Sequence, residues 1–188
     1  LWGRYGSEGP FLFVGEVTIA GNGLAVIGKV AAESSPEGRF EFWALDPDDG
    51  EIVWTHRPRF QDSLCTGCAA DPANGRIYFA TKNHIVAIDQ DDGGERWVHT
   101  GENYFIPQIA IARNGTIYAA EGSLGETGGT SKLVALTHQG QLDWDFEVEN
   151  GITIGPITDA EAYVYFATDE GEVWCLDPDG EVAWAREL

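Results

Sequence analysis

One phrase stated four times limits this chain's fold more than any local signal. It runs from Ala44 to Trp54, from Ala87 to Trp97, from Ala135 to Trp144 and from Cys175 to Trp184. Each copy opens on a small residue followed by Leu or Ile, passes through an acidic or polar turn containing glycine, and closes on tryptophan. The tryptophans lie 43, 47 and 40 residues apart. Self-similarity at that period is the mark of an array in which one supersecondary unit is stacked on copies of itself.

The stretches between the phrases say what the unit is. In the second unit Leu64–Ala70 precedes the turn Asp71–Gly75, Arg76–Thr81 alternates Ile77 and Phe79 against Tyr78 and Ala80, and His84–Asp89 leads into the acidic turn and Glu95–Thr100. The second strands of the other units read Leu24–Gly28, Thr116–Glu121 and Tyr163–Thr168, and the third strands Phe40–Asp46, Lys132–Thr137 and Gly171–Asp177. Asn-Gly and Asp-Gly between alternating runs signal tight hairpins, because these turns need positive φ. No stretch combines a 3.6-residue apolar period with helix caps, so no helix is expected. The reading is all-β, with each unit a four-stranded antiparallel meander.

With 43% hydrophobic and 12% aromatic residues in 188, the chain can bury a substantial core. No apolar run approaches the ~20 residues that a membrane-spanning helix needs. The formal net charge is −20, and lysine occurs only at Lys29, Lys82 and Lys132. Such a field disfavours nucleic acid and anionic lipid surfaces as partners. It also resembles the composition of proteins from salt-loving organisms, which predicts stability that rises with salt. Methionine is absent and the chain starts at Leu1. We read it as a piece that opens on the tail strand of a preceding unit, residues 1–10 with Trp2, followed by blades at 11–60, 61–103, 104–150 and 151–188.

Stacking such meanders radially about an axis buries both their faces. The phrase Ala-Leu-Asp-x-x-x-Gly-x-x-x-Trp resembles the tryptophan-docking repeat of the pyrroloquinoline-quinone-like β-propellers, the family of the quinoprotein alcohol dehydrogenases and their cofactor-free relatives. In that family the alanine is packed against by the tryptophan of a neighbouring blade, which assigns a blade-docking role to Ala44, Ala87, Ala135, Cys175, Trp54, Trp97, Trp144 and Trp184. Cys175 departs from the pattern in place of alanine, as does Thr137 in place of aspartate. The family's rings usually hold seven or eight blades. Three closures stay open here: a longer chain, a homodimer completing an eight-bladed ring, or a four-bladed ring.

The chemistry-bearing residues are weighed against simpler roles. The acidic turns Asp46–Gly50 and Asp89–Gly93 place carboxylates close together, yet their glycine falls at the fifth position and no glutamate stands at the twelfth, unlike a helix-loop-helix calcium loop. They read as solvated hairpin turns, with no metal assigned. Cys65 and Cys68 lack the helix start of a redox motif and the further ligands of a zinc site, and read as buried thiols, with a local disulfide as the alternative in an oxidising compartment. His56, His84, His99 and His138 form no ligand pair. Asn114-Gly-Thr116 fits a glycosylation acceptor but is explained by the turn.

In such a meander the inter-blade links and the loops between second and third strands share one face. That face takes the insertions Ala31–Arg39 and Gly122–Ser131, and it gathers His56, Arg57, Arg59, Phe60, His99, Tyr104 and Phe105 in an otherwise acidic chain. Loops on a rigid scaffold are where binding concentrates, and Arg57 with Arg59 suits a carboxylate. The expectation is a non-enzymatic scaffold for a protein partner or small ligand, without cofactor. The resemblance also implies an extracytoplasmic setting. The alternative is a portion of a quinoprotein dehydrogenase whose pyrroloquinoline quinone and calcium ligands lie outside these residues.

Overall fold

Each phrase folds into a hairpin because its glycine takes a backbone conformation that a side chain resists. In the computed structural model, which describes residues 11–31, 40–60, 65–122 and 129–188, Gly50, Gly93, Gly140 and Gly180 have φ of 74°, 68°, 81° and 87°. The aspartates before them close the turns locally. Asp46 Oδ1 accepts from the Asp48 amide at 2.8 Å, Asp89 Oδ1 from Asp91 at 2.9 Å and Asp177 Oδ1 from Asp179 at 3.0 Å. These carboxylates serve their own backbone as Asx turns.

The hairpins organise four antiparallel sheets, each a meander of four strands in chain order. The first holds β1 (Phe11–Ile19), β2 (Ala25–Ala31), β3 (Phe40–Leu45) and β4 (Ile52–His56); the second β5 (Cys65–Asp71), β6 (Arg76–Thr81), β7 (His84–Asp89) and β8 (Glu95–Thr100). The third holds β9 (Tyr104–Ile111), β10 (Ile117–Gly122), β11 (Ser131–Leu136) and β12 (Leu142–Val148); the fourth β13 (Ile152–Thr158), β14 (Val164–Thr168), β15 (Glu172–Leu176) and β16 (Val182–Glu187). The described residues contain no helix. The sheets are the blades of a β-propeller, as the repeat implies.

Three second strands begin one residue later than the sequence suggests. Leu24, Thr116 and Tyr163 still belong to their turns, where their carbonyls accept from the amides of Ala20, Ala112 and Asp159 at 2.9, 2.9 and 3.1 Å. The fourth unit's turn lacks glycine at this place, and Ala162 takes φ 68° in its stead. Trp2 with the tail strand, residues 32–39 and 123–128 of the insertions, and Gln61 and Asp62 of the first link lie outside the described residues.

The core lies between blades rather than within one. Ile77 and Phe79 face the first blade, against Val26, Phe42 and Ala44. Their neighbours Tyr78 and Ala80 face the third, against Phe105, Ile117 and Ala119. Tyr118 and Ala120 face the fourth, against Val164 and Phe166. With a blade on each face β10 is buried throughout, and it is apolar from Ile117 to Ala120 before the buried Glu121. In β14 the alternation returns, with Val164, Phe166 and Thr168 buried and Tyr165 and Ala167 half-buried.

Candidate binding face

The tryptophans tie each blade to the next one along the chain. The Trp54 indole lies on Gly93, where an added Cβ would stand 2.6 Å from Trp54 Cε3, and its Nε1–H donates to the Gln90 carbonyl at 2.9 Å. Trp97 covers Gly140 and donates to the His138 carbonyl at 3.0 Å. Trp144 covers Gly180 and donates to the Pro178 carbonyl at 3.0 Å. Ala44, Ala87, Ala135 and Cys175 lie opposite Trp54, Trp97, Trp144 and Trp184 in the same sheet. One residue past each pair the register shifts. A bulge of this kind bends its strand and re-aims the neighbouring side chain, and nothing in the sequence marked it. Trp184 at the end of the series is 40% exposed, against 8% for Trp54. On this side of the ring the turns also meet each other, with Asn22 Nδ2 donating to the Gln90 carbonyl and to Asp91 Oδ1 at 3.0 and 2.8 Å.

The other face carries the links, and the structure divides the residues expected there. His56 stacks on Phe42, and its buried Nε2 has no hydrogen-bond partner. The Glu95 carboxylate stands 3.9 Å away, beyond hydrogen-bonding range. Burial lowers the His56 pKa, opposed by Glu95 and by a hydrogen bond with the Gly93 backbone, so the ring is neutral at pH 7. His99 packs against Phe105, and burial lowers its pKa too. Phe105 is fully buried and Phe60 stacks on His84 with centroids 3.9 Å apart. His56 and His99 stand two residues after a tryptophan, where the third unit has Phe146, itself against Phe166 and Trp174. In the second and third units the position is a second layer of packing between blades.

Arg57, Arg59 and Tyr104 remain at the surface. Arg57 is exposed and pairs with Glu41; Arg59 is exposed. Tyr104 is 37% exposed and holds Lys82 Nζ 4.1 Å from its ring centroid, a cation–π distance. It also lines a cavity of about 390 Å³ with Asn83, Glu102, Asn103 and Gly122. The walls are tied by backbone bonds, from Gly101 N to the Asn83 carbonyl and from Phe105 N to the Lys82 carbonyl, both 2.9 Å. Beneath them lies Glu121, 2% exposed, whose Oε2 accepts from the Glu102 and Asn103 amides at 3.3 Å. Lys132 pairs with Glu102 at 2.9 Å and with Asp145 at 3.3 Å. Burial raises the Glu121 pKa while Lys132 opposes the shift.

Lys82, Asn83, Glu102, Asn103, Glu121 and Lys132 are not among the residues that the sequence marks as a site. A signal existed in the repeats. Aligned on Tyr78, Tyr118 and Tyr165, Glu121 takes the place that Thr81 and Thr168 hold in the flanking units. There the hydroxyls make local bonds, Thr81 Oγ1 to the His84 carbonyl and Thr168 Oγ1 to Glu172.

The cysteines fall in two places. Cys68 is buried on β5 between the first and second blades. Cys175 is buried on β15, where burial raises its thiol pKa. Among the described residues no three His, Cys, Asp or Glu side chains converge as metal ligands. The turn aspartates Asp46 and Asp89 accept from their own backbone.

Residues 13–152 match a family model described as outer membrane protein assembly factor BamB. No curated protein sequence matches the chain. Among solved structures it is similar to BamB from Moraxella catarrhalis, with a TM-score of 0.68 and 17% identity over 94% of this chain and 50% of that one. It is also similar to the Dos1 propeller, with a TM-score of 0.66 and 10% identity over 92% of this chain and 47% of that one. A third is a protein of unknown function from Bacteroides caccae, with a TM-score of 0.56 and 20% identity over 79% and 54%. The chain thus spans about half the length of the solved structures it matches. With four meander sheets in chain order and a family match across most of its length, this chain belongs to the pyrroloquinoline-quinone-like β-propeller family whose model is described as BamB.

Proposed function

We propose that this chain is a non-enzymatic propeller scaffold that binds a protein partner on its link face in an extracytoplasmic setting. The observation that carries this reading is the contrast between the two faces. On one, the acidic turns bond to themselves and to neighbouring turns; on the other, Arg57, Arg59, Tyr104 and a cavity are presented on links held by backbone bonds. Membership of the BamB-described family supports a protein partner and agrees with an extracytoplasmic location. The half-buried Tyr165 and Ala167 and the exposed Trp184 are the face on which further blades or a second copy would complete the ring.

The test is site-specific photocrosslinking from Arg59 on the link face and from Asp48 on the turn face, followed by titration of the purified adduct partner. Adducts arise from the link face, and Arg57→Ala with Arg59→Ala weakens that partner about tenfold while melting stays within a few degrees. Equal labelling from both faces, or unchanged affinity in the double variant, overturns the assignment.

A further inference from the structure

We propose that Asn114 is a site of spontaneous modification, converted to aspartate and isoaspartate by attack of the Gly115 amide. Of the chain's four Asn-Gly pairs it is the one whose side-chain amide no other group holds. The site lies on the turn face and is independent of the reading of the link face.

The sequence places Asn-Gly at residues 22–23, 74–75, 114–115 and 150–151. Glycine has no Cβ to keep its amide nitrogen away from the side chain before it. In the reaction that nitrogen attacks the asparagine Cγ. An N–Cγ bond forms, the Cγ–Nδ2 bond breaks, and ammonia leaves with the glycine amide proton. Water then opens the resulting succinimide. Cleavage at Cγ gives aspartate, and cleavage at the main-chain carbonyl carbon gives isoaspartate. Water is the sole co-reactant, and nothing is oxidised or reduced.

The fold separates the four pairs by what holds the leaving amide. Asn74 Nδ2 donates to Asp71 Oδ2 at 2.7 Å and Asn150 Nδ2 to Glu172 Oε2 at 3.2 Å. Asn22 and Asn114 are matched in everything else. Both are exposed, and Gly23 and Gly115 have φ of 90° and 89°. The two glycine amides donate to the Ala20 and Ala112 carbonyls at 2.9 Å. Asn22 Oδ1 accepts from the Leu24 amide at 3.2 Å and Asn114 Oδ1 from the Thr116 amide at 3.0 Å. The difference lies at Nδ2. That of Asn22 donates to the Gln90 carbonyl and to Asp91 Oδ1 of the second blade, whereas that of Asn114 has no partner among the described residues. A bond to a carboxylate that must break before the amide can turn slows the reaction about tenfold. Asn114 lacks this restraint. Its isoaspartate would lengthen the main chain inside a turn closed by the 2.9 Å bond from the Ala112 amide to the Thr116 carbonyl. Ala112 belongs to the core between the third and fourth blades, so the modification bears on blade packing.

The test holds the folded full chain in mildly alkaline buffer at physiological temperature and follows all four sites by peptide mapping and mass spectrometry. A parallel sample is kept in urea. In the folded chain Asn114 is expected to convert about tenfold faster than Asn22, Asn74 or Asn150, giving both aspartate and isoaspartate. In urea the four rates should draw within about threefold of each other, because the restraints are gone. Asp91→Ala, with folding checked by its melt, should accelerate Asn22 several-fold and leave Asn114 unchanged. Asn114 converting no faster than Asn22 in the folded chain, a tenfold advantage that persists in urea, or a folded Asp91→Ala chain with the parent's Asn22 rate overturns the proposal. The comparison of folded and urea samples of the parent decides the matter even where the variant does not fold.

Discussion

Gly93→Ala isolates the contact that joins one blade to the next. Gly93 has φ 68°, so alanine there carries left-handed strain of about 1–2 kcal/mol. The new methyl would also stand 2.6 Å from Trp54 Cε3, with ring atoms rather than a flexible tip as the obstacle. The indole must tilt away, which breaks the 2.9 Å bond from its Nε1–H to the Gln90 carbonyl, a loss of about 1 kcal/mol. Trp54 is 8% exposed; re-exposing a quarter of a ~200 Å² side chain costs about 1 kcal/mol more at ~25 cal/mol per Å². The sum is about 3–4 kcal/mol. Gly23→Ala is the control, because Gly23 has φ 90° and open space around its missing Cβ, leaving only the strain of about 1–2 kcal/mol. Urea unfolding followed by far-ultraviolet circular dichroism measures both. A Gly93→Ala cost equal to that of Gly23→Ala, or one that persists in full when Trp54 is already alanine, refutes the inter-blade account.

Trp54→Ala should cost about 3–5 kcal/mol as a buried aromatic truncation, whereas Trp184→Ala, at 40% exposure, should cost under about 1 kcal/mol in the same denaturation experiment. Ala162→Gly should stabilise by about 0.5–1 kcal/mol, since it relieves a φ of 68° on an alanine; a loss on urea unfolding would show that the turn is not strained. Burial lowers the His56 pKa below 6.5, so its contribution is fully present above that value and is lost as pH falls through the folded pKa. His56→Phe should flatten the stability decline between pH 7 and 5, as read by thermal melts across that range. With a net charge of −20, the melting temperature should climb with sodium chloride toward molar concentrations, where the screening length is ~3 Å; a flat series would remove the halophilic reading.

Much of the architecture follows from the amino-acid sequence alone because the relevant chemistry is local. A turn needs positive φ, which glycine supplies, and an Asx bond closes it within four or five residues, as at Asp46–Gly50 and Asp89–Gly93. Repetition then multiplies one unit into a propeller. The repeat also marks the tryptophans as structural, although not where each points. That direction depends on a bulge beside Ala44, Ala87, Ala135 and Cys175 and on the next blade's carbonyl standing in range. The candidate site depended on tertiary structure still more. His56, His99 and Phe105 look suited to a ligand in the sequence, yet His56 stacks on Phe42 of its own blade, and His99 and Phe105 pack on each other between the second and third blades. Lys82 and Lys132, fifty residues apart in the chain, take opposite roles because one meets Tyr104 and the other meets Glu102 and Asp145. Burial and charge pairing depend on which edges come together in space, and short-range sequence chemistry does not specify that.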